Sequence, residues 1–77
     1  METIYSHNVD KELISKVVAS LNAGKSVKVV NTHETFYGWG YDRHLKEALK
    51  DQDCKIECIE HDHIEGFPSV FIVSPSK

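Results

Sequence analysis

Apolar side chains along this chain switch between two spacings, and the order of the switches predicts the fold. Thr3-Ile4-Tyr5 is a short β-rich run. From Val9 to Leu21 the apolar positions Leu13, Ile14, Val17, Val18 and Leu21 recur as one stripe of a 3.6-residue period, with Lys11, Glu12, Ser15, Lys16 and Ser20 on the polar side. Asn8 and Asp10 are both placed to cap that helix through a side-chain oxygen. Gly24, after Asn22 and Ala23, suits the left-handed residue that ends it. Ser26 to Val30 is brief and β-branched, as in a central strand parallel to the first.

A second helical stripe, Tyr41, Leu45, Ala48 and Leu49, predicts a helix beginning near Tyr41 or Asp42, unless Thr35 caps an earlier start. Arg43, Lys46, Glu47 and Lys50 fall on its wet side. From Cys54 the period becomes two. Cys54, Ile56 and Cys58 share one face, and Lys55, Glu57 and Ile59 the other. A polar connection from His61 to Pro68 leads to a last strand over Ser69–Ser74, with residues 73–77 expected to end as a frayed tail.

The pattern therefore reads β-α-β-α-β-β. It predicts a single domain over residues 1–77, an α/β two-layer sandwich with a four-stranded mixed sheet and both helices on one face. The other face should carry Lys28, Val30, Ile59 and one alternating pair from the last strand, either Val70 and Ile72 or Phe71 and Val73. An apolar patch left there would favour a partner or a homodimer.

Length and charge sharpen this picture. A 77-residue chain hides only about 60–65% of its unfolded surface, so its core is thin, and a marginal core often recruits a partner chain. Nine basic and twelve acidic side chains give a net charge of −3. That balance disfavours non-specific nucleic-acid binding, which needs cations to displace counterions, and favours a protein partner, a basic one in particular. The acidic start Met1-Glu2-Thr3 has no signal-peptide character. No stretch approaches the ~20 apolar residues of a membrane span. Cys54 and Cys58, four apart on one strand, would stand roughly 13 Å apart, too far for a disulfide. Free thiols fit a cytoplasmic setting.

The residues able to do chemistry fall in three groups. Asn31 to Tyr41 follows the C-terminal end of a strand and precedes a helix, the position where open α/β sheets take ligands. It holds Phe36, Tyr37, Trp39 and Tyr41 among Gly38 and Gly40. Its aromatics would anchor a partner, stack on a base or close the end of the core. His61 and His63, at i and i+2, would share a metal if both lay on a strand, but no third ligand is evident. Cys54 and Cys58 face inward in this reading and are expected to be buried rather than reactive. His33, Glu34 and His44 have acid–base capacity without a spacing that pairs a base with a nucleophile. No Gly-rich dinucleotide fingerprint or P-loop is present.

The passage Val17-Val18-Ala19-Ser20-Leu21-Asn22-Ala23-Gly24-Lys25-Ser26-Val27-Lys28-Val29-Val30 resembles the helix-Gly-strand passage of Alba nucleic-acid-binding proteins and of SirA/TusA-like sulfur carriers. The element order is also similar to the C-terminal domain of bacterial translation initiation factor three. The resemblance implies the β-α-β-α-β-β fold. Its functional motifs do not follow. Sulfur carriers have Cys-Pro-x-Pro where His7-Asn8-Val9-Asp10 stands. Alba proteins have a Gly-Lys pair in the first loop and basic residues after the second strand, where this chain has His7, Asp10, His33 and Glu34.

These readings converge on a small acidic, non-enzymatic binding module without a cofactor, an accessory or inhibitory protein. Phe36, Tyr37, Trp39 and Tyr41 are its expected anchors, and Val30 and Ile59 its sheet patch. The alternatives are an Alba-like nucleic-acid binder using Arg43 and Lys46 on phosphates with Trp39 on a base, and a metal- or histidine-dependent enzyme built on His33, His61 and His63.

Overall fold

The computed structural model describes residues 1–32, 40–64, 66 and 68–76. Their elements are β1 (Glu2–Ser6), α1 (Lys11–Asn22), β2 (Val27–Asn31), α2 (Tyr41–Ala48), β3 (Cys54–His61) and β4 (Pro68–Pro75). This is the order expected from the hydrophobic pattern. The strands form one sheet in the order β1-β2-β4-β3. β1 and β2 are parallel, and β4 runs antiparallel to both of its neighbours.

Local chemistry explains the boundaries of α1. Of the two candidate caps, Asp10 takes the role: its Oδ1 accepts from the Leu13 N–H at 2.9 Å. At the other end the Gly24 N–H donates to Leu21 O and the Lys25 N–H to Ser20 O. That pair of bonds closes the helix only if the residue after the cap is left-handed. Gly24, with φ of +74°, supplies the conformation. α2 begins at Tyr41 behind Gly40, which contributes no side-chain cap. Thr35, the other candidate start, lies outside the described residues.

The core lies between the helices and one face of the sheet. Leu13, Val17 and Leu21 from α1, with Tyr41, Leu45 and Leu49 from the α2 segment, close over Ile4, Val27, Val29, Phe71 and Val73. Each fully buried aliphatic side chain contributes about 1.5–3 kcal/mol. Phe71, on the strand between β2 and β3, is completely enclosed and stacks on Tyr41, with ring centroids 5.6 Å apart.

Four expectations are corrected. Ala48 is exposed and leaves the α2 stripe to Tyr41, Leu45 and Leu49, because the helix ends there and Leu49 turns inward. The tail expected from residue 73 is strand through Pro75. The Ser76 N–H reaches Asp53 O at 3.0 Å, so Pro75, opposite Cys54, stands where the ladder asks for no N–H. Cys58 is exposed, although its register opposite Phe71 puts it on the core side of the sheet. α1 packs on β2 and β4, and the far half of edge strand β3 stays in solvent. His61 closes β3, whereas His63 lies in the turn beyond it. Asp62 makes that turn, its Oδ2 accepting from the Ile64 N–H and its carbonyl from the Gly66 N–H, both at 3.0 Å. The two histidines therefore do not share a strand face.

Candidate partner-binding face

Strand register assembles the surface opposite the helices. Val27 and Val29 of β2 point into the core, so Lys28 and Val30 point away from it. Val30 stands beside Tyr5 on β1 and Val70 on β4, and Val70 beside Glu60 on β3. The next row is Thr3, Lys28, Ile72 and Glu57. A third row brings Ser26 to Ser74, joined by a hydroxyl–hydroxyl hydrogen bond of 3.0 Å, with Lys55 opposite Ser74. The last strand thus gives this face Val70 and Ile72 and keeps Phe71 and Val73 for the core.

The face is graded across its width. Tyr5 is 72% exposed. Val30, Ile72 and Lys28 are half-buried, and Val70 is enclosed. Toward β3 the surface becomes charged through Glu57 and Glu60, with Lys55 held to Glu57 at 2.7 Å. The face thus runs from an exposed aromatic at the β1 edge, over aliphatic side chains, to an acidic margin at the β3 edge. Ile59 is exposed too, but it is the extra residue of a bulge between Cys58 and Glu60. Simple alternation carried Ile59 to the open face with Lys55 and Glu57. The bulge gives that position to Glu60, which no periodicity in the sequence signals.

The other sequence candidates are scattered. Phe36, Tyr37 and Trp39, with His33 and Glu34, lie outside the described residues. Tyr41 is 3% exposed and belongs to the core. Among the described residues its buried hydroxyl has no hydrogen-bond partner, and the nearby Ser6 hydroxyl donates to the Asn8 carbonyl. Burial raises the Tyr41 pKa, proximity to Ser6 eases the shift, and the Asp10 carboxylate adds to it. Arg43 and Lys46 are exposed on α2, but Lys46 pairs with Asp42 at 3.3 Å and Lys50 with Glu47 at 3.4 Å. Acid neighbours thus offset much of the basic character of that helix.

Among the described residues no three His, Cys, Asp or Glu side chains gather as metal ligands. Burial, and secondarily the Asp53 carboxylate, pushes the Cys54 thiol up, away from a reactive thiolate. The Cys58 thiol donates to Glu60 O at 3.3 Å and lies 3.9 Å from His61 Nε2. No described helix is long and apolar enough to cross a membrane.

Comparison with family models, curated proteins and solved structures returned no match. The structure supports a βαβαββ mixed-sheet, two-layer architecture consistent with several small α/β folds, and no family is confirmed.

Proposed function

We propose that this chain is a non-enzymatic binding module, an accessory or inhibitory protein that acts by occupying the surface of a protein partner. The exposed Tyr5 with the half-buried Val30 and Ile72, which lie on three adjacent strands on the side of the sheet away from the helices, carries this reading. A largely exposed tyrosine beside aliphatic side chains matches the aromatic anchors that dominate binding energy. The acidic margin at Glu57 and Glu60 and the net charge of −3 favour a partner with basic residues around an apolar centre. The aromatic segment with Phe36, Tyr37 and Trp39 begins just after β2, so it is joined to the end of the strand that carries Val30. The unpaired thiols Cys54 and Cys58 suit a reducing compartment, and we assign the protein to the cytoplasm on that ground.

The test is affinity capture from the native source, followed by titration of the purified partner. Wild type should retain a specific protein that Tyr5→Glu and Ile72→Glu lose, with all three chains equally folded by circular dichroism. Trp39→Ala reports whether the aromatic segment adds to the same contact. Retention of no specific protein, or equal retention by wild type and both face variants, removes the proposal.

A further inference from the structure

β3 is an edge strand: β4 pairs with one side of it, and among the described residues nothing pairs with the other. Its free side has a defined polarity. The Ser76 N–H bonds to Asp53 O, and the β3–β4 register runs without interruption from Cys54↔Pro75 to Cys58↔Phe71. In an antiparallel ladder this turns the backbone groups of residues 53, 55 and 57 toward β4, and those of 56 and 58 with the Cys54 carbonyl outward, the Cys54 N–H being held by the Gln52 carbonyl at 2.9 Å. Beyond Cys58 the bulge ends the regular ladder. The regular run is thus Cys54 to Cys58, and its midpoint is Ile56.

We propose that β3 pairs antiparallel with β3 of a second copy of this chain about a two-fold axis at Ile56, extending the sheet across a homodimer. The side chains select this register. With Ile56 opposite Ile56, Lys55 of each copy faces Glu57 of the other, and the opposite charges meet twice. Sliding the strands two residues one way sets Lys55 against Lys55. Sliding them two the other way sets Glu57 against Glu57. A one-residue slip breaks the match between faces. The paired positions 55 and 57 are those without mutual backbone bonds, where cross-strand side chains approach most closely. The Ile56 pair exchanges two backbone bonds, and each Cys58 N–H meets the Cys54 carbonyl of the other copy. The interface is isologous, so it closes at two copies and does not propagate.

Charges and a bulge on an edge strand ordinarily discourage pairing. Here the bulge lies just outside the five-residue run, and the two charges complement each other through the two-fold axis. The proposal concerns the edge of the sheet and is independent of partner binding by its open face.

Sedimentation across a concentration series under reducing conditions tests it. Wild type should pass from monomer to dimer. Lys55→Glu and Glu57→Lys should each weaken association about tenfold or more, because both cross-strand pairs become repulsive. The double variant Lys55→Glu/Glu57→Lys should restore it. Both positions are exposed, and circular dichroism of each variant verifies the fold. A short bifunctional thiol-alkylating reagent, applied at mildly alkaline pH to engage Cys54, should join Cys54 of one copy to Cys58 of the other. Three results would overturn the proposal: a monomer at every concentration, a dimer indifferent to the single reversals, or a double variant no better than the singles.

Discussion

At the scale of single residues, the most instructive group is the Tyr41 hydroxyl. Its ring serves the core by stacking on Phe71, while its oxygen is enclosed and has no hydrogen-bond partner among the described residues. An unsatisfied buried hydroxyl lowers stability. Tyr41→Phe should therefore leave the urea midpoint unchanged or raise it, against the usual trend for core substitutions. The pH dependence follows from the raised pKa. Above the ordinary tyrosine value of 10.0 the unfolded chain releases this proton while the folded chain still holds it. The stability linked to the proton is complete below that pH and is lost as the pH rises through the folded-state value. Tyr41→Phe should remove this component, so its stability should fall less steeply than that of wild type in alkaline urea titrations. Sequence reasoning placed Tyr41 both in the helical stripe and among the surface anchors. Periodicity favoured the first role and its aromatic neighbours the second, and packing against Phe71 decides for the stripe.

At the scale of elements, α1 was the most readable part of the chain, because its stripe, cap and terminator all agree. The sequence offered Asn8 and Asp10 equally as caps, and the Asp10 bond to the Leu13 N–H distinguishes them. Asp10→Ala should cost about 1 kcal/mol, whereas Asn8→Ala should change the unfolding midpoint little. Urea denaturation of the two variants side by side checks the assignment. β3 was less readable. Its alternation held from Cys54 to Cys58 and then failed, because a bulge adds a residue without altering the polar–apolar spacing around it. That failure shifts the role expected of Ile59 to Glu60. The histidine pair failed for a related reason: the bonds from Asp62 turn the chain between His61 and His63.

At the scale of the whole molecule, the two-layer arrangement was legible because the order of periods limits how faces can be buried. The position of β4 between β2 and β3 was not, since strand order depends on pairings between distant segments. Its consequence is concentrated in Phe71, completely buried between the layers. Phe71→Ala should cost about 3–5 kcal/mol, a large share of the roughly 4–12 kcal/mol expected of a domain this size. The unfolding midpoint should fall accordingly, with expression largely as insoluble protein. The face candidates were only partly legible: Val30 could be placed by alternation, but Tyr5 gained its role from standing beside Val30 in a parallel pair.

The central place of β4 also bears on biosynthesis. While the nascent chain is being extended, β2 and β3 emerge before the strand that joins them. Until Pro68–Pro75 follows, the parallel β1–β2 unit and the β3 segment share no ladder. Each then exposes a strand side to chaperones or to other nascent chains. Any message ending before Pro68 would encode two fragments of a sheet with no means of joining them.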